Sequence, residues 1–254
     1  MIYIKREECP DSLNKPSEMF VEADCKKKDV KAALLRMQHG KCCYCERPIK
    51  NLSPCEREVE HYFPQSAFKD SSGHIQWYIA NKWDNLLYAC AACNGAKSGK
   101  YPINRETGDI EIINPSLPDL DPEDHIDFVL DEIVPKHKEK DGSNIGKSTI
   151  EKLQLENRND LTKEFRKLRL VLDGVFVELV GSIENEDVAE TESLKNSLEV
   201  YMSAHKPFAA YIRRFIRERL QIFNDRDLPK LEQRYNRTFH RMNIHFPRGY
   251  ELRN

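Results

Sequence analysis

Two C-x-x-C pairs, Cys42–Cys45 in KCCYCERPI and Cys90–Cys93 in LLYACAACNGAKSGKYP, constrain this chain more than any other feature. Each pair has the spacing that presents two thiolates to one ion, and two such knuckles close a tetrahedral four-sulfur zinc site. A site filled by thiolates has no open position for water, so its zinc stabilises the fold and activates no nucleophile. The 44 residues between Cys45 and Cys90 exceed the gap of about 15–20 in a simple zinc ribbon. A further element must therefore be inserted between the knuckles. Cys9, Cys25, Cys43 and Cys55 read as free thiols. Cys43 is also a rival ligand, although Cys42 has the two-residue interval to Cys45.

The 254 residues suffice for one large domain or for a small module with a helical partner region. Residues 1–40 read as a helical lead-in. Val30, Ala33, Leu34 and Met37 share one helical face within Lys28 to Gly40, and the glycine can stop the helix. Residues 41–105 form the site module, where short apolar runs are broken by Pro48, Pro54, Pro64 and Pro102. Residues 106–254 read as mainly helical after a β-rich connector. Its apolar runs at 110–113 and 126–134 lie among the turn signals NPSLPDLDPED and KEKDGSN and suggest a hairpin or small sheet. Helices are expected over 148–155, 159–181, 187–202 and 206–223. The stretch from Arg226 onward is basic and aromatic and has no assigned element.

Charged residues make up 32% and hydrophobic ones 39%, the balance of a folded globular chain. A formal net charge of −2 gives no global basic footprint, so any nucleic-acid contact must be local or shared with a partner. Arg213, Arg214, Arg217 and Arg219 in HKPFAAYIRRFIRERL form one basic run. It reads either as a solvated helix face or as a contact surface for nucleic acid or an acidic partner. No stretch approaches the roughly 20 apolar residues of a membrane span, and MIYIKREECPDS lacks the apolar run of a secretion signal. With cysteines in metal-type pairs, a cytoplasmic location is expected.

The insertion between the knuckles carries EVEHYFPQS, with Glu60 directly before His61, and KWDNLLYACAACNGAK, with Asn85 before the second knuckle and Asn94 just after it. This order resembles the HNH endonucleases. The resemblance implies an α+β chain: a small zinc-stapled ββα-metal module joined to a mainly α-helical C-terminal region. It makes His61 the general base, Glu60 and Asn94 the ligands of a catalytic cation, and Asn85 the residue that fixes the loop and holds the imidazole. Many members have histidine where this chain has Asn94, and aspartate where it has Glu60. Two oxygen ligands favour Mg2+ or Mn2+ over zinc at the catalytic position. Lys97 lies where many members carry a basic residue, so it reads as a phosphate contact or as a plain solvated lysine. Lys100 is a weaker candidate of the same kind, and Trp77 and Trp83 read as core supports.

Together with GKYPI, the INPS turn and LENRNDLTKEFRKLR in the helical half, these motifs resemble the HNH nucleases of Septu-type and some retron-associated anti-phage systems. That likeness implies a nucleic-acid substrate, DNA before structured RNA, and a partner ATPase related to ABC-type and SMC-like proteins. In the retron form a reverse transcriptase and its DNA are further partners. The alternative reading is a non-catalytic zinc module that binds nucleic acid or docks a regulatory ATPase.

Overall fold

Helix α1, Lys28–Met37, buries Val30, Ala33, Leu34 and Met37, the i, i+3, i+4, i+7 stripe of an amphipathic helix. It ends where His39 and Gly40 turn left-handed, at φ 54° and +70°. A side chain at residue 40 would press on Lys50, whose Cβ lies 3.1 Å from the place its own Cβ would take. The chain then enters the first knuckle, closed by Cys42 N–H to Arg47 O (2.9 Å) and Glu46 N–H to Cys42 O (3.1 Å).

In this computed structural model the described residues are 1–137, 142–235 and Ile244. Strands β1, Arg57–His61, and β2, Leu86–Cys90, pair antiparallel, with His61 opposite Leu86 and Arg57 opposite Cys90. All five residues of β2 are buried, as expected of a strand covered on both faces. Between the strands lies a short helix α2, Trp77–Ala80, and β2 runs without a break into helix α3, Ala91–Lys97. Leu34, Ile49, Leu86, Leu87, Ile112, Ile113 and Leu153 are fully buried and form the centre of this core.

Strands β3, Ile126–Val129, and β4, Glu132–Pro135, form a second antiparallel pair. The apolar run expected at 126–134 is thus a hairpin in itself, folded over a two-residue turn at Leu130 (φ 55°) and Asp131. The run at 110–113 is not a strand of that sheet. It contributes a single bridge between Ile103 and Ile110 and sends Ile112 and Ile113 into the core. The first four residues of the KEKDGSN turn, 138–141, lie outside the described residues. Helix α4, Ile145–Leu153, packs on α3 and β4.

The chain divides into two units, Met1–Arg158 and Asn159–Asn254. Residues 106–158 therefore belong with the first unit, because α4 packs on the element that carries the second knuckle. The second unit consists of α5 (Asn159–Glu184), α6 (Val188–Tyr201), α7 (Ala209–Ile222), a π-helical turn (Phe223–Asp227) and α8 (Leu228–Tyr235). Phe165 of α5 stacks on Tyr211 of α7 at 4.5 Å and meets Phe208 edge-on at 5.4 Å. The arginines of α7 do not make a solvated basic face. Arg213 is buried and donates to Met202 O at 2.8 Å, Arg214 pairs with Glu218, and Arg219 pairs with Asp173 of α5. Most of the basic, aromatic end, 236–254 apart from Ile244, lies outside the described residues. No helix among the described residues is long and apolar enough to cross a membrane.

Candidate functional site

The sulfurs of Cys42, Cys45, Cys90 and Cys93 are buried and lie within 4.8 Å of one another. Cys45 Sγ and Cys90 Sγ are 3.8 Å apart. A tetrahedron with zinc–sulfur bonds of about 2.3 Å has an edge of about 3.8 Å, so the four thiolates fit zinc. Cys43 is outside the cluster; its N–H donates to Tyr88 O at 3.0 Å and ties the first knuckle to β2. Four thiolates around one dication leave surplus negative charge. Arg158 Nη1, 3.5 Å from Cys93 Sγ, offsets part of it. Beside the first knuckle Glu46 is buried between the Met1 ammonium (2.9 Å) and Lys41 Nζ (3.1 Å). Burial pushes its carboxyl up, but the two cations prevail and hold it down to about 2.

Next to this staple a cavity of about 610 Å³ opens onto His61, Glu58, Glu60, Asn94 and Lys97. The N-terminal segment closes part of it, with Cys25, Lys26 and Lys31 among the lining residues. His61 is 9% exposed. Its Nε2 lies 2.9 Å from Asn81 Oδ1, and its Nδ1 lies 3.5 Å from Gln65 Nε2. Burial lowers its pKa below the ordinary value of 6.5; the bond to Asn81 opposes this, and the charge of Lys97 adds to it. The imidazole is therefore neutral at pH 7 and able to accept a proton.

Asn85 does not reach the imidazole. Its Oδ1 accepts from Phe63 N–H at 2.7 Å, and its Nδ2 donates to Phe63 O (3.1 Å) and Ala80 O (2.9 Å). It clamps the chain leaving β1 to the end of α2, and the amide that holds the ring is Asn81. The cause is geometric: the side chain of Asn85 is engaged by the backbone of Phe63, two residues beyond His61, and of Ala80, at the end of α2.

Lys97 is neither a solvated lysine nor a free phosphate contact. It is 2% exposed, and its Nζ reaches Glu60 Oε1 at 2.8 Å and His61 O at 2.8 Å. Tyr44 OH donates to the same carboxylate oxygen at 3.1 Å. Burial raises the Glu60 pKa, and Lys97 works against that rise. Asn94 donates through Nδ2 to the exposed Glu58, which leaves its Oδ1 as the acceptor end of the amide. Lys100 is absent from the cavity lining. Its Nζ donates to Lys152 O at 2.8 Å and anchors the segment after α3 to α4.

Asn81, Tyr44, Glu58 and the N-terminal lysines escaped the sequence reading. Only Tyr44, inside the first knuckle, and Asn81, four residues before Asn85, carried a positional hint.

The first unit is therefore an α+β module with a four-cysteine cluster that could hold a metal ion, and its second knuckle issues directly from the strand paired to a cavity histidine. The chain is similar to Septu protein PtuB of Bacillus mycoides (strain KBAB4). They are 32% identical over 162 residues, covering 56% of this chain and 52% of that protein. It is also 32% identical over 124 residues to Septu protein PtuB of Bacillus thuringiensis, covering 46% and 43%. A stretch of 85 residues is 33% identical to Septu protein PtuA of Bacillus mycoides (strain KBAB4), covering 31% of this chain and 11% of that protein. The chain spans about half the length of the PtuB relatives it matches, and its homology to them extends over about half of its own length. No family model and no solved structure matches it.

Proposed function

We propose that the chain is an HNH-type nuclease that hydrolyses phosphodiester bonds in nucleic acid, with His61 as general base. The observation that carries this reading is a neutral, buried histidine beside an anionic carboxylate and a half-buried amide in one cavity. Lys97 and Tyr44 both occupy Oε1 of Glu60, which leaves Oε2 for a divalent cation. Asn94 is oriented by Glu58 so that its Oδ1 is the ligand atom. Two hard oxygen donors suit Mg2+ or Mn2+. Bound there, such an ion neutralises the charge that builds on the phosphate.

The protein's own groups then have distinct tasks. His61 takes a proton from water. Lys97 holds both Glu60 and the carbonyl of His61, fixing the carboxylate relative to the ring. Asn85 keeps the exit of β1 in place. A zinc at Cys42, Cys45, Cys90 and Cys93 would tie the first knuckle to the end of β2 and the start of α3 and take no part in the chemistry. Because Lys97 and Lys100 are committed to internal partners, phosphates meet Lys31 on the cavity wall instead, and Lys26 if it leaves its exposed pair with Glu22.

The PtuB relationship supports a role in Septu-type anti-phage defence, with DNA as the substrate ahead of structured RNA. A nuclease with a formal net charge of −2 gains its grip on a polyanion from a partner, and we assign that part to a PtuA-like ATPase. In a retron setting, the partners would include a reverse transcriptase and its DNA.

The test is incubation of zinc-loaded protein with supercoiled plasmid and Mg2+ or Mn2+, beside His61→Ala. Nicking or linearisation by the wild type and none by the variant is the expected result. Equal cutting by both, or by neither, would leave the non-catalytic zinc module as the reading.

A further inference from the structure

The residue that controls the catalytic ring is outside the HNH motif. Asn81 is fully buried, at the end of α2, and its two amide atoms face two different segments. Its Nδ2 donates to Val21 O at 3.0 Å, and its Oδ1 faces His61 Nε2 at 2.9 Å. Val21 is itself held, since its N–H donates to Asp24 Oδ2 at 2.7 Å, and Asp24 is buried against Lys15 and Lys27. Turning the amide over would set its oxygen against the Val21 carbonyl and leave two buried acceptors unmatched, at a cost of about 1–3 kcal/mol for each. The amide therefore has one orientation, and an oxygen at that place accepts only from a nitrogen that carries hydrogen.

We infer that Asn81 is a positioning residue that fixes His61 in the tautomer protonated at Nε2, so that the lone pair resides on Nδ1. The inference rests on the nuclease reading of the cavity for its meaning, but its physical content does not depend on that reading. Nδ1 is left with Gln65, 3.5 Å away, which also lines the cavity. When Nδ1 takes the proton of a water, the resulting imidazolium keeps its Nε2–H on Asn81 Oδ1, and no rearrangement of the ring is needed. The N-terminal segment thereby enters the active site through Val21, as the support of the residue that sets the base.

The experiment uses the full, zinc-loaded chain labelled with 15N-histidine. Long-range 1H–15N spectra report which ring nitrogen carries hydrogen, and the His61 signals are assigned by their loss in His61→Gln. The wild type is expected to show Nε2–H with a bare Nδ1. Asn81→Leu, with the same branching and number of side-chain heavy atoms but no acceptor, should show mixed tautomers. Its kcat on supercoiled plasmid with Mn2+ should fall on the order of 10–100-fold, the range for losing an orienting partner, with KM unchanged. Asn81→Asp keeps an acceptor and should restore the Nε2–H form, with kcat below the wild type because its second oxygen faces the Val21 carbonyl and a carboxylate at Nε2 favours the imidazolium. Asn81→Leu that retains the wild-type tautomer and kcat overturns the inference, as does Asn81→Asp that shows the mixed tautomers of Asn81→Leu. A wild type with the expected tautomer that cuts no nucleic acid sustains the inference and removes the nuclease reading.

Discussion

Removing the ammonium of Lys97 while keeping its stem, as in Lys97→Met, tests how the cavity carboxylate is held. Lys97 and Glu60 are 2% and 3% exposed as side chains, and the ion pair spans 2.8 Å. The same ammonium satisfies His61 O. The variant strands a buried carboxylate with Tyr44 as its remaining donor, and breaking a buried pair in this way costs about 3–5 kcal/mol. At about 2–4 °C per kcal/mol for a unit of this size, Tm falls by roughly 6–20 °C. The cost also depends on pH, and its sign can be worked out. Burial already raises Glu60 above its ordinary 4.5, and loss of Lys97 raises it further. A carboxyl with a raised folded pKa weakens the fold as pH climbs above its unfolded value. The penalty is therefore smallest near pH 4.5 and grows by at most about 1.4 kcal/mol per pH unit until the folded pKa is passed. Glu60→Gln in the Lys97→Met background removes the stranded charge and should recover most of the loss. Urea unfolding followed by tryptophan fluorescence is the assay, because both tryptophans, Trp77 and Trp83, lie in the first unit. A Lys97→Met protein within about 1 kcal/mol of the wild type at pH 8, or single-variant losses that simply add in the double variant, would refute the reasoning.

Cys90→Ser should lose bound zinc, measured by metal analysis, together with the fluorescence signature of the folded first unit. A strong zinc chelator should do the same to the wild type. Asn85→Leu removes three side-chain hydrogen bonds to backbone atoms and should destabilise the first unit by about 1–3 kcal/mol in urea titrations. Asp24 is held below the ordinary aspartate value of 3.8: burial pushes it up, but Lys15, Val21 N–H and Lys27 outweigh that. Its contribution is complete above about pH 4 and is lost as pH falls through its lowered pKa. Asp24→Asn should therefore narrow the gap between melting temperatures at pH 6 and pH 3.

The parts of this architecture governed by local rules were legible in the sequence. The cysteine spacing carried the four-sulfur cluster, because two thiolates on one short turn need only the residues between them. Helices α5, α6 and α7 followed from apolar periodicity and begin and end within a few residues of expectation, whereas α8 lies in the stretch from Arg226 that carried no such pattern. Groups that meet across long stretches of chain were hidden. Asn81 and His61 are 20 residues apart and Tyr44 and Glu60 are 16 apart, and no spacing pattern encodes either pair. The burial of Lys97 was hidden for a different reason. On α3 it could face solvent or the strand, and only the packing of α3 against β1 turns it inward toward Glu60. The arginines of α7 misled by composition alone, since their acceptors, Asp173 and the carbonyl of Met202, lie on other elements.

The strand paired with His61 ends in a cysteine of the four-sulfur cluster, and on the proposed function that would tie the readiness of the site to the supply of one trace metal. Without an ion joining Cys90 and Cys93 to the first knuckle, the strand on which the histidine leans would lose its anchor. Metal uptake would then be a maturation step that separates making this chain from arming it.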